Sequence, residues 1–431
     1  MRVHFTNLGC KLNQAEIERL AREFAAAGHL VVGSLAEADL HVVNSCTVTH
    51  VAARASRKAA GRARRGGNLR TTRTVLTGCH ASEDPEQAAR IAGVDLVVPN
   101  TEKDRLLARV HEAFPDLVPQ APELPVPCVP LPFGGLSFGN LPFGNTRALV
   151  KVEDGCNMHC SFCIIPFTRG AQRSRPPAEV VEEVRGLVRQ GYREVVVTGV
   201  QISAWRWEGL RLAGLVRAIL AETDVPRLRL TSIAPWDLDG RLLDLWADRR
   251  LCRHLHLSLQ SGSTGTLRRM RRPYTADSYL GLLDQVRAAV PGAAVTTDVI
   301  VGFPGETAEE HEESLATVEA AGFAKVHVFP YSPRPDTEAE GMPGHVSPGV
   351  KKERMEAMLA AAAQAERNFQ TAHLGTRQTV LWERPKDGMG QGMTDTYLRV
   401  VSEAGAGLWN RFSEVEVVAV GEDGVVGRVM G

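Results

Sequence analysis

Gly155-Cys156-Asn157-Met158-His159-Cys160-Ser161-Phe162-Cys163 sets three thiols within eight residues, at C-x3-C-x2-C spacing, directly after the strand-like run Ala148 to Glu153. A loop this short can aim all three sulfurs at one point. Tetrahedral zinc wants four protein ligands and usually draws them as C-x2-C pairs. An iron–sulfur cube held by three thiolates leaves one iron open for a substrate or cofactor. The spacing favours the cube; a zinc knuckle or three buried thiols are the competing readings. Three cysteines suffice, so His159 between them is not taken as a ligand.

Strand-like runs recur at 148–153, 193–198, 227–232, 254–260, 294–301 and 325–331, separated by helical stretches such as Pro177 to Gln190 and Thr307 to Ala321. Six βα repeats imply a parallel sheet curling into an open or partial barrel. In His254-Leu255-His256-Leu257-Ser258-Leu259-Gln260 one face is all leucine and the other all polar. Strand neighbours point to opposite faces, so the leucines face helices and His254, His256, Ser258 and Gln260 face inward, as do Arg229, Thr231, His327, Phe329 and Tyr331. A closed barrel fills its interior with apolar side chains; a polar interior points to an occupied cavity.

The cysteine loop resembles that of radical SAM enzymes. The resemblance implies a [4Fe-4S] cluster on Cys156, Cys160 and Cys163. Its open iron would be chelated by S-adenosylmethionine, which reductive cleavage turns into a 5′-deoxyadenosyl radical. Phe162 matches the aromatic position whose backbone contacts the adenine. Thr198-Gly199-Val200-Gln201 is similar to the motif that meets the methionine amino group. Ser258 and Gln260 lie where ribose and carboxylate are held, and the stretch through Val301 matches the backbone beside the adenine.

The first 113 residues alternate strand and helix as a small doubly wound α/β domain: strands Arg2 to Leu8, Asp39 to Asn44, Thr74 to Thr77 and Asp95 to Val98, with helices Asn13 to Ala27, Thr49 to Ala63 and Thr101 to Ala113. Gly9-Cys10, Ser45-Cys46 and Gly78-Cys79 each follow a predicted parallel strand. Those strand ends share one sheet edge, the usual ligand edge, so the three thiols can meet; three unrelated buried cysteines are the alternative. Asn7 to Asn13, Asn44 to Thr49 and Thr77 to Cys79 resemble the N-terminal domain of the methylthiotransferases. That resemblance implies a second [4Fe-4S] cluster, on Cys10, Cys46 and Cys79, associated with sulfur insertion.

The 431 residues hold 50 basic and 50 acidic side chains, so no global field attracts nucleic acid. Between Leu40 and Ser82, however, there is no acidic residue but eight basic ones, Arg54, Arg57, Lys58, Arg62, Arg64, Arg65, Arg70 and Arg73. This is a candidate phosphate-binding surface, or an ordinary solvated face. Arg169, Arg173 and Arg175 after the loop, and Arg268, Arg269, Arg271 and Arg272 after the fourth strand, flank the expected barrel mouth. No signal peptide or membrane span is apparent, and eight cysteines without a secretory pattern argue for metal or redox chemistry.

Residues 114–146 carry eight prolines and read as an irregular connector, with Cys128 incidental. The central barrel is expected over 147–347, a connecting helix over 348–374 and a small antiparallel, OB-like β unit over 375–431. Its expected strands are Gln378 to Glu383, Thr396 to Val401, Val415 to Val420 and Val425 to Met430. This last unit resembles the TRAM domain, thought to bind tRNA. The expected fold class is therefore multidomain α/β.

The combined resemblance implies a cytoplasmic tRNA-modifying methylthiotransferase that uses SAM and two [4Fe-4S] clusters. Its partners would be the anticodon stem-loop and an electron donor such as a flavodoxin or ferredoxin. Gly9 to Asn13, Cys46 to Thr49, Leu230 to Ile233 and Cys163 to Pro166 look most like the branch acting on N6-threonylcarbamoyladenosine at position 37, although Leu12 and Ala234 depart from its pattern. The branches acting on N6-isopentenyladenosine or on an aspartate of ribosomal protein S12 stand as alternatives. So do a radical SAM enzyme of other outcome and a non-enzymatic iron–sulfur RNA-binding protein.

Overall fold

The computed structural model describes residues 1–62, 71–118 and 146–430. Arg64, Arg65, Arg70, Cys128 and most of the expected connector lie outside them.

The N-terminal sheet has five parallel strands: β1 (Arg2–Asn7), β2 (Leu30–Val31), β3 (Leu40–Ser45), β4 (Arg73–Gly78) and β5 (Leu96–Val98), in the order β2-β1-β3-β4-β5. β2 is too short to show as a strand in the sequence. A parallel sheet is covered on both faces. Val3, Phe5, Leu40 and Val42 meet α1 (Lys11–Ala26) through Ile17, Leu20 and Phe24, and α3 (Leu106–Ala113) through Leu106 and Val110. Val43 and Leu76 meet Ala59 and Ala60 of α2 (His50–Ala60) on the other face. Phe114 and the turn Pro115–Leu117 fold back onto this domain, so the irregular stretch begins later than residue 114.

The central domain has six parallel strands in two hydrogen-bonded sets: β6 (Arg147–Lys151), β7 (Glu194–Thr198) and β8 (Leu228–Leu230), then β9 (His254–His256), β10 (Ala294–Val301) and β11 (Lys325–Pro330). Parallel bridges Leu228–Leu251 and Ile233–Leu257 join the sets into one partial barrel. Leu255, Leu257 and Leu259 are fully buried beneath the surrounding helices, as the alternation requires. The edge of β11 is covered by α4 (Pro348–Thr371), whose Met358 and Ala362 enter the same core. Covering an edge strand blocks pairing with other chains.

The inner face is not simply an open cavity. Helix α1 lies against β6, with Ala15 packed on Leu149 and Val196. The C-terminal domain closes the end where the strands begin. It is a closed five-stranded barrel of β12 (Arg377–Trp382), β13 (Gly390–Met393), β14 (Arg399–Ser402), β16 (Gly424–Val429) and β15 (Phe412–Gly421), in that order around the ring. Three expectations are corrected. Glycine-rich β13 adds a fifth strand, and β14 pairs parallel with β16, so the barrel is not wholly antiparallel. The strand expected from Thr396 begins only at Arg399, because Thr394 to Leu398 form a hydrogen-bonded turn with Tyr397 at φ 64°.

That turn plugs the barrel. Arg229 donates to the carbonyls of Thr394 (3.0 Å) and Asp395 (2.9 Å), and Arg227 to that of Met393 (3.0 Å). Both arginines pair with buried Glu194, at 2.8 and 2.6 Å, and they hold its carboxyl well below the usual range despite burial. His254 stacks on the Tyr397 ring at 4.8 Å. Arg229 and His254, expected to line a cavity, are instead fully buried parts of its floor.

Candidate active site

Each trio of cysteines is placed by a glycine. Gly78 and Gly155 have φ of 94° and 76°, which L side chains rarely adopt. A Cβ would lie 2.3 Å from the Ser45 carbonyl oxygen at Gly78, and 2.2 Å from the Ala171 carbonyl oxygen at Gly155. Only glycine lets Cys79 and Cys156 leave their strands at these angles.

Cys10 and Cys46 follow β1 and β3, and Cys79 follows β4. In the order β2-β1-β3-β4-β5 the chain reverses direction between β1 and β3, which is the switch-point crevice where open α/β sheets bind ligands. The three thiols interact electrostatically with one another, and a Cβ on Gly9 would touch Cys46 Sγ at 2.9 Å. Cys156, Cys160 and Cys163 likewise interact. Burial pushes Cys46 up to about 11 and Cys163 up to about 12. Such thiols stay protonated unless a bound cation stabilises the thiolate. Among the described residues no group of three or more ligand-type side chains is gathered as a single ion needs. Each trio offers three free thiols, the soft donors that an iron–sulfur cube takes, so the donor set fits that group.

The short helix Ile165–Arg169 joins the two trios. The Gly170 carbonyl accepts from Cys156 N–H (3.1 Å). One turn back, the Thr168 carbonyl accepts from Asn100 Nδ2 (2.9 Å), which also approaches Cys79 Sγ at 3.7 Å. Arg169, 1% exposed, donates to Glu16 (2.9 Å), Asp154 (2.8 Å) and Asn13 Oδ1 (2.6 Å). Glu16 also takes Lys103 (2.6 Å) and Lys151 (3.3 Å). This buried network ties α1, α3's leading turn and β6 into one support beneath both trios.

Sequence reading mistook most of the mouth arginines for a surface. Arg169 is in this network. Arg272 stacks on Trp236 (4.6 Å) and Tyr274 (5.4 Å) and donates to Cys160 Sγ at 3.3 Å. Arg269 pairs with Glu310, Arg175 with Glu183 (2.6 Å) and Arg271 with Glu338 (2.5 Å). Arg268, Arg173 and, despite its partner, Arg271 remain exposed. Arg54, Arg57 and Lys58 form the outer face of α2, with Arg62 exposed just beyond its end, while Ala53, Ser56, Ala59 and Ala60 form its buried face.

A cavity of about 310 Å³ opens beside Cys156, lined by Asn157, Met158, Gln201, Trp236 and Asp237. Gly199 is held without room for a Cβ, 2.7 Å from Glu153 Oε2. Gln201 donates its backbone N–H to Glu153 (2.9 Å) and its side-chain amide to Asp237 (2.9 Å). Of the other expected cofactor residues, Phe162 packs edge-on against Phe303 at 6.3 Å, in an apolar cluster with Met270 and Tyr331. Ser258 approaches His256 Nε2 (3.4 Å), and Gln260 takes φ 67°. The Val301 side chain is buried in the barrel–helix core, which leaves only its backbone for a ligand.

Glu153 was not foreseen. Burial, with Asp154 beside it, pushes its carboxyl up to about 8, and Oε1 has no partner among the described residues. The sequence shows it only as the end of a strand. A carboxyl that is neutral near pH 7 can donate as well as accept a hydrogen bond.

The chain matches the Radical SAM superfamily over residues 150–318 and Uncharacterized protein family UPF0004 over residues 2–99. It is 33% identical to the threonylcarbamoyladenosine tRNA methylthiotransferase MtaB of Bacillus subtilis, across 97% of this chain and 94% of that protein. It is 34% identical to the tRNA-2-methylthio-N(6)-dimethylallyladenosine synthase of Novosphingobium aromaticivorans, across 98% and 96%. In fold it is similar to the radical S-adenosylmethionine methyltransferase TsrM of Kitasatospora setae, solved with tryptophan and a SAM analogue: TM-score 0.55, 18% identity, covering 79% of this chain and 75% of that one.

Proposed function

The chain belongs to the radical SAM tRNA methylthiotransferases, and on that premise we propose that it converts N6-threonylcarbamoyladenosine at position 37 of tRNA to its 2-methylthio derivative. The observation that carries this reading is the pair of glycine-set cysteine trios joined by one helical turn. A non-enzymatic RNA-binding protein has no use for a second such trio, or for a cavity beside Cys156 that Gln201 borders.

When bound, two [4Fe-4S] clusters and SAM supply the radical, the sulfur and the methyl group that an unreactive C–H carbon requires. In this reading Cys156, Cys160 and Cys163 hold the radical-generating cluster, and Cys10, Cys46 and Cys79 the sulfur-inserting one. Arg272 donates a charge-assisted hydrogen bond to Cys160 and steadies its thiolate. Asn100 orients Cys79 from the other side. Gly199, Gln201 and the neutral Glu153 carboxyl would receive the methionine end of SAM, while Phe162, Ser258, Gln260 and the Val301 backbone would border its nucleoside end. Helix α1 covers the inner face at β6, and the Tyr397 turn closes the end where the strands begin.

The RNA would cross the exposed face of α2 and the C-terminal barrel, with electrons arriving from a flavodoxin- or ferredoxin-type donor in the cytoplasm. Among the described residues no helix is long and apolar enough to cross a membrane. The domain division 1–113, 147–347 and 375–431, joined by a connector and a helix, is part of the same reading.

Mass spectrometry of tRNA nucleosides tests the function. A strain lacking this protein is expected to lose 2-methylthio-threonylcarbamoyladenosine and accumulate its precursor. The Novosphingobium relative favours a second reading, in which the isopentenyl nucleoside would lose its methylthio group instead. Phosphate contact by α2 should show in salt titrations. Binding to an anticodon stem-loop should weaken by about 0.7 to 0.9 log unit per log unit of salt for each phosphate neutralised. Replacing Arg54 and Arg57 by glutamine should flatten that slope; an unchanged slope removes α2 from the interface.

A further inference from the structure

Lys11 is the residue after Cys10 and the first of α1. Its ammonium lies 5.1 Å from the Tyr397 ring centroid, where Arg229 and Arg147 also converge, at 5.0 and 5.6 Å. Arg147 pairs with Glu383 (2.6 Å), while Arg229 shares Glu194 (2.8 Å) with Arg227, so the cations around the ring outnumber the carboxylates. Lys11 has no ion pair among the described residues and is exposed, as are Cys10 and His327 on the same interior space. The first turn of α1 holds no acidic residue, so Lys11 has no carboxylate beside it on its own turn.

A second observation gives the sign of the local field. Burial alone would raise the Tyr397 phenol, yet Lys11, Arg147 and Arg229 hold it down at about 8. His254, fully buried and stacked on Tyr397, leaves Nδ1 without a partner among the described residues. An exposed ammonium with no carboxylate partner among the described residues, over a ring that two guanidinium groups also approach, makes an anion site.

Resting on the substrate reading above, we propose that Lys11 is the specificity-determining residue that takes the amino-acid carboxylate of the N6-threonylcarbamoyl group. The adenine to be modified must present C2 to the Cys10 trio. The lysine next in sequence to a ligand of that trio is within the span of the N6 substituent. A carboxylate there gains a charge-assisted hydrogen bond. An isopentenyl group would set hydrocarbon against an ammonium and strip its water without return, a penalty that rejects the rival substrate.

The test uses the full-length, cluster-loaded protein and three anticodon stem-loop RNAs, bearing at position 37 the threonylcarbamoyl group, its carboxamide analogue or the isopentenyl group. Affinities are measured by fluorescence anisotropy at one salt concentration, for wild type, Lys11→Met and Lys11→Arg. Iron content checks that each variant is loaded. Wild type should bind the acid about tenfold more tightly than the amide, one charge-assisted hydrogen bond's worth. Lys11→Met should bring that ratio to about one without weakening the amide RNA, and Lys11→Arg should keep part of it. A ratio retained in Lys11→Met overturns the assignment. So does an equal loss for all three RNAs, which would mark a phosphate contact. Wild type that binds and modifies the isopentenyl RNA in preference shows that the substrate reading itself has failed.

Discussion

Glu16→Gln is expected to lower stability by about 3–5 kcal/mol, a large part of the margin of an ordinary domain. Glu16 is 1% exposed and receives Lys103, Arg169 and Lys151. The isosteric amide removes one negative charge. It leaves Asp154 alone to balance three cations, two of them, Lys103 and Arg169, fully buried. Breaking a buried pair costs more than the pair was worth, because the desolvated survivor has nowhere to turn. Urea denaturation should show the midpoint falling at constant slope, and an unchanged midpoint would refute the network's role. The sign of the pH dependence follows. Burial alone would raise the Glu16 carboxyl, but Arg169, Lys103 and Lys151 outweigh it and hold it well below the ordinary 4.5. Its contribution is therefore complete above 4.5 and lost as pH falls toward its folded value. The variant should lose less of its remaining stability in acid than wild type does. Glu83, held at about 2 through His80, Thr47 and Arg334, gives the same sign in both proteins.

Gly155→Ala is expected to empty the second trio. The added methyl group would sit 2.2 Å from the Ala171 carbonyl at a φ of 76°, and the obstacle is backbone, which cannot swing aside as a side chain can. The loop must shift, and Cys156 moves with it. Anaerobically reconstituted wild type should carry about eight irons per chain and the variant about four. SAM cleavage should be lost, while the N-terminal trio keeps its cluster. Full iron in Gly155→Ala would show that the loop tolerates a different course.

Both trios were legible because they obey rules that the sequence displays. A glycine precedes Cys10, Cys79 and Cys156, and a strand precedes each of the six cysteines' loops, so the edge they share follows from topology. The leucine face of His254 to Gln260 was legible for the same reason: period-two alternation has one physical meaning in a covered sheet. Arg169 and Arg272 were misread because a buried arginine and a solvated one are the same letter. What separates them is the carboxylate or thiol brought from elsewhere, here Glu16, 153 residues away, and Cys160, 112 away. Helix α1 was seen as amphipathic, but its second contact face is Asn13, Ala15 and Glu16, which reads as solvent-facing until Leu149 and Val196 are set against it. The turn at Tyr397 was read as strand because Thr396 to Val401 is rich in strand formers; a positive φ at a tyrosine leaves no trace in composition.

The Tyr397 turn also changes what the last domain is for. A module that merely gripped RNA could be clipped off, leaving a smaller catalyst intact. Here its backbone carbonyls cap the guanidinium groups of Arg227 and Arg229 from below. A chain ending before Arg377 would open the reaction vessel underneath, admitting water and dioxygen to the space in which a carbon-centred radical has to survive. The grip on the nucleic acid proposed for this barrel and the seal on the vessel would then be the same piece of polypeptide, so neither could be altered without consequence for the other.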